Sequence, residues 1–385
     1  MEELRLQMAL STPLIATKGY LDEGVENACK RALELSHEVG ETPQLFTVLG
    51  GLNSIYFNRG EFEIAVELGR RMLHLAETQG NQVMLLWAHY SLGFSFASQG
   101  VLKLARDHLQ RSIALYDPGK GGTYGFVQDP GPTAMLMLAH VIFKLGYPDQ
   151  ALERVRQGLA LARDISHQFT LAWVLGFAGE LYWTIGNKLA AQKLWEEMAA
   201  LSRQQAFKPM IAKASVFLGF ALVDQGRGDD GITKMYDGLY SLIDSLPKDE
   251  RLHGAGFLSL ALGKTGRVDE GLNKVDQALR LANEAKTFGN LHLLQLIKGH
   301  LFLMKSPAGL RKAKQCFSTA LELARQQNAR SDELRAAISL AKLLVQQGRG
   351  EQARSMLKKI YNWFTEGFDT ADLKDAKALI DDLSD

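Results

Sequence analysis

Apolar residues return along this chain at helical spacing, in pairs of stripes separated by a glycine. Over residues 45–58 one stripe is Leu45, Val48, Leu49, Leu52, Ile55 and Tyr56, the one-sided pattern of an amphipathic helix. Arg59-Gly60 ends it, since glycine readily takes the left-handed C-terminal conformation. A second stripe of Ile64, Ala65, Leu68, Met72, Leu73 and Leu75 predicts an antiparallel helix from Glu61 to about Thr78. The unit is a helix, a tight turn and a returning helix.

That unit recurs. Gly60, Gly100, Gly146, Gly186, Gly226, Gly266 and Gly348 lie 40, 46, 40, 40, 40 and 82 residues apart. The last interval conceals a unit whose turn reads Ser306-Pro307-Ala308. Five residues after each glycine stands a small residue: Ala65, Ala105, Ala151, Ala191, Gly231, Gly271 and Ala353. Two helix backbones crossing closely at that point explain the preference, and a leucine there would overpack the contact by roughly 1–3 kcal/mol. With a degenerate first turn at Gly19-Tyr20, nine units fit. Residues 369–385, around TADLKDAKALIDDL, then read as a capping helix with an acidic outer face, which an array needs to seal its open end.

A fixed period of this size marks a repeat array. HEAT-type units run to about 40–47 residues and tetratricopeptide units are nominally about 34. The order Leu…Gly/Asn…Tyr/Phe…Gly…Ala favours the tetratricopeptide reading. It appears as Leu52-Asn53, Tyr56, Gly60, Ala65 and again as Leu92-Gly93, Phe96, Gly100, Ala105. The longer period is then absorbed by longer helices. The expected fold is all-α: residues 1–385 form one right-handed tetratricopeptide superhelical solenoid of about nine repeats, closed by the capping helix.

Composition narrows the functional classes. Lys and Arg total 44 against 43 Asp and Glu, so the basic excess of nucleic-acid binders is missing. Two cysteines, Cys29 and Cys316, are too sparse for a disulfide framework and read as small core residues. No signal-peptide pattern opens the chain, and the most apolar stretch, residues 292–304, is interrupted by Gln295, Lys298 and His300. A cytoplasmic protein with no membrane or nucleic-acid partner is expected. The chain opens inside a helix, which leans towards a piece of a larger parent.

One segment breaks the period. Residues 116–131, YDPGKGGTYGFVQDPG, insert a Gly/Pro-rich loop between repeats three and four. GKGGT lacks the spacing and preceding strand of a phosphate-binding loop. Lys120, Tyr124 and Phe126 are instead candidates to line or close a binding surface.

Carrying the first-helix positions along by the period builds a candidate concave groove. It contains Trp87, Tyr90 and Phe94 from unit three, His140 and Phe143 from unit four, and Trp173, Glu180 and Trp183 from unit five. Phe220 and Asp224 follow from unit six, and His253 and Lys264 from unit seven. Aromatic residues are the usual anchors of binding hot spots, though a stripe of them at helical spacing also serves packing between helices. Trp195 and Trp363 fall on second helices and read as structural. His140, Glu180 and His253 can face one cavity, but no metal-ligand spacing joins them. Neither a catalytic set, a metal site nor a cofactor is predicted.

Several longer words go beyond the generic repeat: LRLQMALSTPLIATKGY (4–20), YDPGKGGTYGFVQDPG (116–131), LGYPDQALERV (145–155) and NWFTEGFDTADLKDAKALIDDL (362–383). In these the chain resembles the C-terminal tetratricopeptide region of bacterial multidomain signalling proteins. In that family a class III adenylate cyclase or another effector is followed by an AAA/STAND-type ATPase and then the array. Relatives commonly carry a His-Arg pair where this chain has Gly119-Lys120-Gly121-Gly122, so any ligand contact made by that pair is altered. No Walker A motif and no cyclase carboxylate pair are present. The resemblance implies a sensor or autoinhibitory arm that binds a protein or peptide segment, or a small signal, and regulates a nucleotide-dependent ATPase or cyclase partner. A scaffold self-associating around Trp363 and Phe364, and an enzyme hidden in the groove, are the alternatives.

Overall fold

A computed structural model describes residues 23–39, 43–119, 128–240, 247–305 and 309–383. The predicted turns at Gly19-Tyr20 and Ser306-Pro307-Ala308, and the loop residues Lys120, Tyr124 and Phe126, lie outside them. The described residues form eighteen helices and no strand. The first, α1 (Glu23–Val39), is the returning helix of unit one. Units two to four pair α2 (Pro43–Asn58) with α3 (Phe62–Gln79), α4 (Gln82–Gln99) with α5 (Leu102–Leu115), and α6 (Pro130–Lys144) with α7 (Pro148–Asp164). Units five and six pair α8 (Gln168–Thr184) with α9 (Lys188–Gln204) and α10 (Lys208–Asp224) with α11 (Gly228–Tyr240). Units seven to nine pair α12 (Lys248–Lys264) with α13 (Val268–Glu284), α14 (Leu291–Lys305) with α15 (Leu310–Gln326), and α16 (Arg330–Gln346) with α17 (Gly350–Tyr361). The last helix, α18 (Ala371–Asp382), buries Leu373, Ala376 and Ile380.

The turn chemistry follows from the seven periodic glycines, all with φ between 72° and 99°. At Gly60 the glycine amide donates to the Phe57 carbonyl and the next amide, Glu61, to Tyr56, both at 2.9 Å. These bonds satisfy carbonyls that the helix end would otherwise orphan. Small residues sit where the two helices cross: Ala65, Ala105, Ala151, Ala191 and Ala353 are fully buried. A Cβ on Gly231 would lie 2.5 Å from the Gly219 carbonyl oxygen, so even alanine is excluded there. First helices are apolar on most sides because each is wedged between its partner, its neighbours and the interior. Second helices keep one polar face for the outside.

The insertion is shorter than its glycines suggest. Pro130 and Gly131 belong to α6, whose start is capped by the Asp129 side chain accepting the Gly131 amide at 3.0 Å. The Asp129 amide donates to the Thr170 hydroxyl at 2.8 Å, tying the loop exit to α8.

The array also closes on itself. Gly60 of unit two packs against Lys248, at the start of unit seven. Beside Gly100 of unit three, the Ser98 carbonyl accepts the Gly289 amide at 3.1 Å, just ahead of unit eight's first helix. Gly146 of unit four meets Arg330 and Trp363, and the Ser331 hydroxyl of unit nine donates to the Phe143 carbonyl at 2.6 Å. Gly186 of unit five meets Ala371 of the capping helix. Each of these four turns thus contacts the helix that begins five units later, and a seam joins successive superhelical turns. Trp363 touches this seam, its ring 5.6 Å from that of Tyr147, and remains 36 % exposed, while Phe364 is buried.

Candidate ligand-binding lumen

Closure turns the concave groove into a lumen with a cavity of about 530 Å³, lined by first helices from units two to nine. One wall is aromatic. Tyr90 lies 5.1 Å from Trp87 and 4.3 Å from Phe94, and Phe94 lies 6.0 Å from Trp173, ring centre to ring centre. Trp173 stacks on Phe177 at 3.8 Å. On α8 the lumen residues Phe169, Trp173, Phe177, Glu180 and Thr184 recur every three or four positions, so the helix period alone delivers them to one face.

Below the aromatic wall lies a buried ionic belt. Lys213 on α10 is 6 % exposed and reaches Glu180 at 2.8 Å and Glu250 at 3.4 Å. Its ammonium also sits 3.4 Å from the centre of the Phe177 ring, a cation–π contact strengthened by desolvation. Burial would lower the Lys213 pKa, but Glu180 and Glu250 outweigh it and hold the pKa above the ordinary lysine value. Burial likewise opposes ionisation of both carboxyls. Glu180, the nearer partner, is nonetheless held below its ordinary range by Lys213, while Glu250 is pushed up.

Asp249, beside Glu250, is pushed up to about 6 by burial and then by the Glu250 charge. Burial drives His253 down to about 4 and lowers His140. Both imidazoles are neutral near pH 7 and shape the lumen without adding charge. His140 Nε2 lies 2.9 Å from the Phe177 carbonyl, which makes that nitrogen the donor.

A second group of charges belongs to lumen and seam together. Lys144 donates to the Gly289 carbonyl at 3.3 Å and to Asn290 at 3.1 Å, bridging unit four to unit eight. Arg335 donates to the Thr184 carbonyl at 3.0 Å and to Asp372 at 2.6 Å, linking α16 to unit five and the cap. Asp332 pairs with His292 at 3.0 Å, and burial, which would raise its pKa, is overcome by His292, Lys144 and Arg335.

Of the residues expected in the groove, Trp87, Tyr90, Phe94, His140, Phe143, Trp173, Glu180, Trp183 and His253 line the cavity. Phe220, Asp224 and Lys264 do not. Phe220 is buried between Trp183 and Phe257, and Lys264 bonds Asp224, which also holds Lys188. Trp195, read as structural, is 1 % exposed and donates to the Gly176 carbonyl. Sequence reasoning missed Lys213, Asp249, Glu250, Lys144 and Arg335. The available signal was a charged residue in an otherwise apolar first helix, as at Lys213 within KPMIAKASVFLGF. Among the described residues no cluster suits a metal ion, and no helix is long and apolar enough to cross a membrane.

A tetratricopeptide-repeat family model matches residues 132–157 and 334–359, which run from α6 into α7 and from α16 into α17. A search of curated proteins returned no match. Among solved structures, a Rap protein complexed with competence and sporulation factor is 13 % identical, covers 100 % of both chains and superposes with a TM-score of 0.62. The apo quorum sensor NprR from B. thuringiensis is 14 % identical over 94 % of this chain and 98 % of its own, with a TM-score of 0.52. Identities this low speak for the fold alone. The chain folds as a tetratricopeptide-type helical-repeat solenoid.

Proposed function

We propose that this chain is a non-catalytic sensor that takes a short peptide segment or small signal molecule into its lumen and relays occupancy through the seam. The observation carrying the reading is that Lys144 and Arg335 each line the cavity and bridge units that are distant in sequence. A ligand touching them changes the free energy of closure, and differential affinity for open and closed states is what shifts a population. Peptide binding by the structural neighbour crystallised with its sporulation factor supports a peptide as the occupant. The receiver of the signal is a nucleotide-dependent ATPase or cyclase module in the cytoplasm, a proposal that rests on the sequence resemblance.

The test is affinity selection of a random tetrapeptide-amide library, read by mass spectrometry, on the native chain and on Ser54→Phe/Ser91→Phe. Both serines line the cavity, and phenylalanine there fills space without removing any core contact. Peptides held by the native chain alone support the lumen. Equal retention by both proteins moves binding to the outer surface and ends the proposal.

A further inference from the structure

Granting that the lumen holds a ligand, we infer that this ligand carries a cationic group, a primary ammonium or a guanidinium, on an apolar body, and that Asp249 and Glu250 receive the cation. Helix α12 starts just after Pro247, which places both acids in its first turn on the cavity wall. Glu250 offers Lys213 one carboxylate oxygen at 3.4 Å, while its other oxygen, Oε2, is sealed from solvent and has no hydrogen-bond partner. Asp249 accepts the amide of Glu250 at 2.9 Å.

The charges facing this pair come from three helices. α8 supplies Glu180, α10 supplies Lys213, and α12 supplies His253 along with the pair itself. Lys213 is thus the one cation that pairs with this group of three carboxylates, Lys144 acting on Glu180 at longer range; its closest contact is Glu180, and His253 is neutral. The surplus is negative, and an uncompensated charge away from bulk water is expensive unless a partner arrives.

A cation satisfies this wall and an anion is repelled by it. The rest of the lumen suits the ligand's body. Phe177, Phe217 and Phe257 line the cavity around the belt, and ring faces attract a cation as well as apolar surface. Thr287, 4 % exposed, leaves its hydroxyl unpartnered on the same cavity, a group ready for a ligand polar atom. A cavity of about 530 Å³ falls within the range that holds small ligands. A short peptide bearing Lys, Arg or a free amino terminus and an arylalkyl amine share this chemistry.

Two probe sets read the charge preference: N-acetylated tetrapeptide amides carrying Lys, Arg or Glu at one fixed position, and tryptamine beside indole-3-acetate. Each is offered to the native chain, to Asp249→Asn/Glu250→Gln and to Ser54→Phe/Ser91→Phe. Glu250→Gln alone serves should the double variant melt early. The expected result is at least a tenfold preference for the cationic member of a set, lost in the carboxamide variant while its melting temperature stays at or above that of the native chain. Preference within the peptide set alone identifies a peptide source, and preference within the indole set alone identifies a small amine. Equal or better retention of the acidic members, or a cation preference that survives both carboxamides, overturns the inference. Probes lost on filling the lumen yet indifferent to charge leave the lumen reading standing and remove this one. Probes that bind the filled lumen equally, or none that bind at all, remove both.

Discussion

The amide of Ala371 donates to the carbonyl of Ile185 at 3.1 Å, docking the first residue of the capping helix onto the turn of the fifth repeat. Gly186 makes the approach possible. Its φ is 99°, and a Cβ there would stand 2.9 Å from the Ala371 methyl carbon. The cap therefore seals the last repeat and also fastens the superhelix to its own middle.

Gly186→Val should cost more than Gly228→Val. Valine at that φ is strained by about 1–3 kcal/mol, and its side chain displaces the cap as well. Gly228 has no such φ, and its Cβ would meet the Thr265 methyl at 2.8 Å, the far end of a side chain. Urea unfolding should show a further loss of about 2 kcal/mol for Gly186→Val, with faster amide exchange over 371–382. Equal losses would contradict the assigned turn register.

Lys213→Met should be among the most damaging single changes. It leaves Glu180 and Glu250 facing each other in a buried site, and removing one member of a buried ionic group costs about 3–5 kcal/mol. Adding Glu180→Gln and Glu250→Gln should recover much of that loss, because the penalty lies in the orphaned charges. A triple variant no more stable than Lys213→Met would mean that lysine's packing on Phe177, and not its charge, dominates.

The repeat was legible because its determinants are local. A glycine that must adopt positive φ and an alanine or glycine at a helix crossing are dictated within one unit, so Gly60 and Ala65 announce the fold. Beyond Gly80, which takes a φ of 60° between units two and three, the corners between units were silent. There Ser166, Ala206, Lys286 and Asn328 take φ of 53–57°, a left-handed conformation costing non-glycine residues about 1–2 kcal/mol, and their identities carry no such signal. The aromatic lumen followed from the period, since Trp87, Tyr90 and Trp173 keep the register of their helices. Phe220 and Lys264 failed because the cavity ends before the last turns of α10 and α12. Lys144 and Arg335 could not be foreseen as a pair of bridges, because the seam depends on superhelical pitch, which small rotations accumulate over five units.

Asp249 gives the stability a pH dependence of known sign. Its pKa rises from 3.8 to about 6 on folding, so between those values the folded chain holds a proton that the unfolded chain has lost. Its contribution is then full below about pH 4 and is lost as pH rises through 6. The penalty above that is at most about 3 kcal/mol. His253 works the other way: its pKa falls from 6.5 to about 4 on folding, so stability present above 6.5 is lost as pH drops through that range. The two partly cancel in the native profile, and the difference between native chain and variant isolates the acid. Asp249→Asn should therefore be more stable than the native chain at pH 7.5 and indistinguishable from it at pH 4, as measured by urea midpoints. The same titration weakens capture of a cationic ligand below about pH 6, where Asp249 becomes neutral between Glu250, Glu180, Lys213 and His253. A stability difference of equal size at both pH values would show that the substitution acts through packing or helix-start geometry and that the Asp249 charge is not the cause.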